Sequence, residues 1–169
     1  MMQDAEFMRS ALDEARKAFE AGEVPIGAVA VENGVIISRG RNRVEENNSV
    51  CCHAEIEAIR EVEKLRGDWR MHGITLYVTK EPCPMCAGFL VNCRVDRIVF
   101  GLPDSKTGAC GGAVDIPNMP ESLWHPAVTG GISADESLAL IQNFFKNRRK
   151  KTSCIIFCYT CSYNCKCRA

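Results

Sequence analysis

The sequence has few histidines and no excess of charge of either sign. Both features limit the classes of function that the protein can have. Lysine and arginine number 21, as do aspartate and glutamate, so the formal net charge at pH 7 is zero. This balance does not indicate nucleic-acid binding over the whole surface, although it is compatible with a local basic patch. The chain has three histidines, so few positions are available for imidazole chemistry.

Long apolar runs are also missing. The longest one is too short to span a bilayer. The first residues, MMQDAEFMRS, are polar and carry acids where a signal peptide would have an apolar core. We therefore expect a cytoplasmic protein with no membrane partner. The length of 169 residues, 46% of them hydrophobic, suggests one globular domain with a proper core.

The cysteines form two groups that need separate explanations. Eleven are present, and an odd number cannot pair completely within one chain. Nothing in the sequence signals secretion, so a disulfide framework is not indicated. Six cysteines lie between Cys51 and Cys110, and five lie in the last sixteen residues.

Apolar spacing predicts alternating helices and strands. The predicted order is helix, β-hairpin, helix, strand, helix, strand and helix, with the hairpin turn at Asn33-Gly34 and the last helix after Ser133. The glycine- and proline-rich segment 101–132 is long for a plain loop, so it is either functional or hides a short strand. This order predicts a mixed sheet sandwiched by helices.

Three side chains of the kind that zinc prefers occur at helix starts. His53 opens one predicted helix, and Cys83 and Cys86 form a Cys-x-x-Cys pair at the start of another. Three protein ligands leave a fourth position for water, as in catalytic zinc sites. Glu55, two residues after His53, is placed to take a proton from that water and return it to a leaving group.

Each of these residues also has a simpler interpretation. Taken alone, Glu55 near a helix start is a dipole partner, and His53 is a hydrogen-bonded core residue. The Cys83–Cys86 pair alone is as consistent with redox activity as with metal binding. The combination of H-x-E with P-C-x-x-C favours the metal site, because it is an established signature of zinc nucleobase deaminases.

The sequence resembles the bacterial-type tRNA-specific adenosine deaminases, a branch of the cytidine deaminase-like superfamily. The resemblance extends from about Phe7 to Lys150 and rests on EVPIGAV, GRNR, HAEIEAI, TLYVTKEPCPMCAG, RVDRIVFG, DSKTGACG and FFKNRRK. The zinc motif alone indicates only the superfamily, whereas KTGACG and FFKNRRK indicate the tRNA enzymes. The resemblance implies a three-layer α/β/α fold around a mixed five-stranded sheet.

The resemblance further implies conversion of the wobble adenosine of a tRNA anticodon to inosine, usually in tRNA-Arg. One Zn²⁺ per chain is then held by His53, Cys83 and Cys86, and Glu55 shuttles the proton while activated water attacks C6 of the flipped-out adenine and ammonia leaves. The residues expected to contact the base or the anticodon stem-loop are Asn42, Asp104, Lys106, Phe144, Arg148 and Arg149. A homodimer is expected, with the neighbouring subunit helping to build each site.

The basic segment at 146–151 has two interpretations on its own residues. Its positive charge would contact phosphates, and the neighbouring aromatic rings would stack on splayed-out bases. Alternatively, Phe144 and Phe145 belong to an apolar helix face, and the basic helix end is solvated surface that complements the dipole.

Two regions depart from the family pattern. Cys51 and Cys52 stand where small residues are usual; they are interpreted as inert small hydrophobes, or as groups that compete for metal or oxidise. Residues 151–169 form a cysteine-rich tail after the deaminase domain of residues 1–150. The tail has three interpretations: an extension without a role, a second Zn²⁺ site around Cys158 and Cys161, or a lipidated segment.

Two other functions remain as alternatives. A deaminase of a free base or nucleotide, of the guanine or cytosine type, would share the metal ligands and Glu55 but would not need the basic end. A non-catalytic partner subunit of an RNA-editing heterodimer would be expected to lose the proton-shuttling glutamate, and Glu55 is present.

Overall fold

The computed structural model describes the backbone of residues 2–160 and the side chains of residues 3–149. Five helices and five strands follow one another along the described chain. In chain order the elements are α1 (Met2–Glu20), β1 (Gly27–Glu32), β2 (Val35–Arg41), α2 (Val44–Asn47), α3 (Ala54–Arg66), β3 (Ile74–Lys80), α4 (Pro84–Asn92), β4 (Arg97–Leu102), β5 (Ala127–Thr129) and α5 (Ala134–Thr160).

The five strands form one mixed sheet in the order β2-β1-β3-β4-β5. β1 pairs antiparallel with β2 and β3, whereas β3, β4 and β5 run parallel to one another. The β1–β2 hairpin turns at Asn33 and Gly34, whose φ angles of 49° and 77° are both positive. This is the requirement of a type I′ turn, which Asn-Gly satisfies at low steric cost.

Side chains on alternate positions of the strands bury two different cores. Ala28, Ala30 and Leu76 face one side and pack with the apolar residues of α3 and α4. Val29 and Val31 face the other side and pack with α1. This period of two produces the three layers, because both faces of the sheet need cover from helices.

Two glycines allow helices to lie directly on the sheet. A Cβ at Gly27 would stand 2.2 Å from the carbonyl oxygen of Ala11 in α1, and a Cβ at Gly40 would stand 2.3 Å from that of Ala54 in α3. Since real Cβ atoms do not approach backbone so closely, any larger residue at either position would push its helix away. The close approach at Gly40 matters for the site, because Ala54 lies between His53 and Glu55.

The predicted three-layer α/β/α fold with five strands is confirmed, and three local features differ from or add to the prediction. Segment 101–132 contains the short strand β5, and the polar stretch before Cys51 contains the one-turn helix α2. α5 continues through residue 150 to Thr160, so its backbone crosses the predicted domain boundary. Among the described residues, no helix combines the length and apolar composition needed to cross a membrane.

Candidate metal centre and substrate pocket

The metal-type side chains are held by the first residues of two neighbouring helices. His53 and Cys83 occupy the residue before α3 and α4 respectively, and both have extended backbone angles. Pro84 follows Cys83 at the first helical position, where its fixed φ is favourable and its missing N–H costs nothing. Cys86 lies within the first turn of α4, so the Cys-x-x-Cys spacing brings both sulfur atoms to one side of the helix start.

The three side chains converge on one point. His53 Nδ1 lies 3.4 Å from Cys86 Sγ and 3.8 Å from Cys83 Sγ, and the three ligand atoms all lie within 4.8 Å of one another. Bond lengths of about 2.0 and 2.3 Å at a tetrahedral zinc require N···S separations of about 3.6 Å. The observed distances bracket this value, so the residues fit zinc.

The two sulfur atoms compete for a proton. A hydrogen bond from the Cys86 thiol, opposed by burial and assisted by His53, lowers the pKa of Cys83 to about 3. The same bond, together with burial, raises the pKa of Cys86. This hydrogen bond therefore favours the thiolate form at Cys83, and a thiolate is the form that binds a metal.

Glu55 is buried beside the three ligands. Its side chain lies in the first turn of α3 and is 4% exposed. Removal from water raises the pKa of this carboxyl, while His53 opposes the rise. A raised pKa strengthens the carboxylate as a proton acceptor, so that Glu55 can take up a proton and later return it, as a general acid–base group does.

A pocket of about 270 Å³ opens beside the metal ligands. It is lined by His53, Asn42, Glu23 and apolar side chains that include Val24 and Ile26. Asn42 is buried and donates from Nδ2 to Glu23 Oε2 at 3.1 Å. Because this bond uses one amide hydrogen, the orientation of the Asn42 amide is fixed while its Oδ1 and second N–H stay available to a ligand.

Glu23 is a site residue that sequence reasoning did not single out. It is 1% exposed, and its second oxygen accepts from the backbone N–H of Glu46 at 2.8 Å. It therefore connects Asn42 to the α2 segment that borders the pocket. The sequence feature that could have indicated Glu23 is its position in EVPIGAV, where an acid precedes an apolar strand.

Asp104 and Lys106 lie on the loop after β4. The side chain of Asp104 makes contacts within the protein, whereas that of Lys106 faces solvent. The Asp104 carboxylate pairs with Lys80 and accepts from the backbone N–H groups of Lys106 and Thr107. These contacts hold the pKa of Asp104 well below its usual range. Lys106 is exposed. The loop therefore uses Asp104 to shape its turn and presents Lys106 to solvent.

Phe144 is buried, whereas the two predicted arginines are exposed. The Phe144 ring is 4% exposed and packs edge-on against Phe19 of α1 at 5.8 Å. The guanidinium of Arg148 lies 5.5 Å from the same ring, and Arg149 Nε donates to the Phe145 carbonyl. Phe144 thus anchors α5 on α1, and the exposed ring of the pair belongs to Phe145, which is 44% exposed.

The additional cysteines that the structure describes do not belong to the metal-type cluster. Cys51 is exposed, and Cys52 is buried and accepts a hydrogen bond from Asn47. Neither belongs to the cluster formed by His53, Cys83 and Cys86. The predicted second zinc site at Cys158 and Cys161, and the rest of the tail's side chains, lie outside the described residues.

Comparisons with known proteins agree with this site. Residues 1–102 match the family model for the cytidine and deoxycytidylate deaminase zinc-binding region. The tRNA-specific adenosine deaminase of Bacillus subtilis (strain 168) is 47% identical over 152 residues, which are 89% of this chain and 94% of that protein.

Solved structures place the chain in the same family. A structure from a study of A-to-I editing by tRNA:A34 deaminases superposes with a TM-score of 0.78 at 43% identity, over 80% of this chain and 98% of the other. The guanine deaminase of Bacillus subtilis matches at a TM-score of 0.54 and 36% identity, over 57% of this chain and 62% of the other. The chain therefore belongs to the zinc-binding cytidine deaminase-like family, in the branch of the tRNA-specific adenosine deaminases.

Proposed function

We propose that this chain catalyses the zinc-dependent hydrolytic deamination of the wobble adenosine to inosine in a tRNA anticodon. The observation that carries the proposal is the buried Glu55 beside a zinc-type ligand set, at a pocket bordered by Asn42. The names of the relatives supply the substrate, since they act on tRNA adenosine. By the family resemblance, tRNA-Arg is the expected substrate.

The reaction replaces the amino group of adenine by oxygen and consumes one water. Zinc held by His53, Cys83 and Cys86 would supply the Lewis acid that activates water at neutral pH. Glu55 accepts one proton from the attacking water and passes it to N1 of the ring, then carries the remaining hydroxyl proton to the amino group, so that ammonia leaves and inosine remains. Asn42, oriented by Glu23, holds the flipped-out base against the ligands.

Outside the pocket, the exposed basic residues contact the RNA. Lys106, Arg148 and Arg149 are exposed, and phosphate contacts of this kind position a nucleic acid without reading its sequence. Asp104 contributes by shaping the loop that carries Lys106. Phe144 contributes by fixing α5, which carries the two arginines, on α1.

We further propose that the enzyme works as a homodimer. A groove of about 660 Å³ lies at the ends of α3 and α4, and its lining does not include the metal ligands. Its lining includes Trp69 and Leu123, which are 47% and 93% exposed. Exposed apolar side chains grouped in this way are typical of protein interfaces. A Leu123→Glu variant should shift the mass measured by light scattering to that of a monomer, whereas Val35→Glu, at an exposed apolar residue of β2, should not.

Location and domain organisation complete the proposal. A cytoplasmic enzyme would meet its tRNA substrate directly, and none of the six cysteines of the described residues forms a disulfide, as in reducing compartments. Residues 1–150 would form the deaminase domain and residues 151–169 an added tail.

Incubation with competing substrates tests the function. The zinc-loaded full chain should produce inosine from a tRNA with adenosine at the wobble position and leave free adenosine, cytosine and guanine unchanged. The likeness to a guanine deaminase makes guanine the important comparison. Deamination of guanine without inosine in the tRNA would move the chain to the free-base enzymes and overturn the proposal.

A further inference from the structure

Glu81 is a buried acid that the proposed reaction does not use. It lies between the end of β3 and the turn Pro82-Cys83, and its side chain is 3% exposed. The described hydrogen bonds to its carboxylate all come from backbone N–H groups. A carboxylate is costly to bury unless its oxygens are hydrogen-bonded, so these amides account for its place in the core.

The three donors come from one segment, which we call the 104–112 loop. The backbone N–H of Asp104 donates to Oε2 at 2.7 Å. Those of Cys110 and Gly112 donate to Oε1 at 3.0 and 2.8 Å. The Glu81 side chain therefore holds both ends of the loop next to the metal-binding turn Pro82-Cys83.

The loop closes around the carboxylate so tightly that two of its positions require glycine. A Cβ at Gly108 would lie 2.3 Å from Glu81 Oε2, and one at Gly112 would lie 2.6 Å from the same atom. A further backbone bond joins Ala109 N–H to the Pro82 carbonyl at 2.8 Å. Contact with Glu81 thus explains the glycines at 108 and 112 of the KTGACGG sequence.

The loop and the metal centre meet at this residue. Lys106 extends from the loop into solvent, and Cys83 follows Glu81 by two positions. We propose that Glu81 is a positioning residue that fixes the 104–112 loop, and with it Lys106, relative to the metal ligand Cys83, so that bound RNA presents its adenosine to the pocket. This inference rests on the proposed function.

The Glu81→Gln variant tests the proposal, because its amide NH₂ would face N–H donors and leave at least one without an acceptor. We expect KM for an anticodon stem-loop to rise about tenfold while kcat stays within about threefold, the signature of lost ground-state binding. Zinc content should equal that of the wild type. Glu20→Gln, the same change at an exposed position, should leave all three quantities unchanged.

Gly112→Ala perturbs the same contact from the loop side and should raise KM similarly. Hydrogen–deuterium exchange should accelerate within residues 104–112 in both variants. Because Glu81 acts through Lys106, adding Lys106→Ala to Glu81→Gln should cost less than the sum of the single effects.

Three outcomes would overturn the inference: wild-type KM with unchanged exchange, a fall in kcat at constant KM, or loss of zinc together with activity. The last two would make Glu81 a support of the metal centre instead. A wild-type enzyme that makes no inosine in tRNA would contradict the proposed function itself, while the exchange measurement would still decide whether Glu81 anchors the loop.

Discussion

The metal centre and the basic periphery, by which we mean Lys106, Arg148 and Arg149, are built in different ways. At the metal centre, Glu55 and Cys86 are 4% and 0% exposed and lie in the first turns of α3 and α4. The basic periphery lies on the loop after β4 and at exposed positions of α5, with its charges in water. Bond-making chemistry requires fixed distances and exclusion of solvent, whereas contact with a phosphate backbone requires accessible charge.

The comparison predicts that substitutions at the metal centre remove turnover, and that those at the basic periphery only weaken binding. The largest effect is expected from His53→Ala, which should lose both zinc and measurable inosine formation, since two thiols alone leave an incomplete ligand set. Metal content by mass spectrometry checks this, with the exposed His72→Ala as control. Full zinc occupancy in His53→Ala would remove His53 from the ligand set.

Glu55→Gln should retain zinc and the fold but reduce turnover by about 10²–10⁴-fold, because the amide cannot accept the proton. Single-turnover measurement of inosine on an anticodon stem-loop gives the rate. Glu61→Gln, on the same helix with an exposed carboxylate, should behave as the wild type. Near-normal turnover in Glu55→Gln would contradict the role given to Glu55.

Asn42→Ala should reduce kcat/KM by about tenfold, which corresponds to the loss of one hydrogen bond of about 1.4 kcal/mol to the base. The zinc content should not change. Since the change also removes the donor to Glu23 Oε2, the melting temperature should be recorded beside the kinetics. An unchanged kcat/KM would place the base elsewhere than against Asn42.

Arg149→Ala should raise KM several-fold without affecting kcat. The slope of log KM against log salt should become shallower by about one unit for each phosphate that the variant no longer binds. A salt series between 50 and 200 mM, about the range over which such binding is sensitive, measures this slope. An unchanged slope would assign Arg149 to solvated surface, the alternative that its sequence left open.

The smallest effect on activity is expected at Asp4, far from both regions, which pairs with Arg97 and accepts from Tyr77. The hydrogen bond from Arg97 lowers the pKa of Asp4, so this stabilisation is present above the unfolded pKa of about 3.9 and is lost as the pH falls below it. Asp4→Asn should lower the free energy of unfolding by about 1 kcal/mol at pH 7.

Urea unfolding at pH 7 and pH 3 measures the effect of Asp4→Asn, and the difference from the wild type should shrink at pH 3. Asp13→Asn, in an exposed ion pair with Arg16, should change stability little at either pH. A difference for Asp4→Asn that persists undiminished at pH 3 would assign the loss to packing instead of charge.

The elements with strong periodicity and the metal ligands were predictable from sequence. The spacing of His53, Cys83 and Cys86 carries its own chemistry, and Asn33-Gly34 specifies its turn locally. The roles of Glu23 and Glu81 were not predictable, because their hydrogen-bond donors come from segments distant in the chain. Similarly, the burial of Phe144 depends on Phe19 of α1, which helical periodicity alone cannot locate.

The most direct test of the account is to locate the inosine formed in a full-length tRNA. The zinc-loaded wild-type chain and Glu55→Gln would be incubated with a tRNA that carries adenosine at the wobble position and elsewhere in the anticodon loop, and the nuclease fragments would be analysed by mass spectrometry. The account predicts inosine at the wobble position alone, formed by the wild type and not by the variant. Inosine at several loop adenosines, or at none, would contradict it.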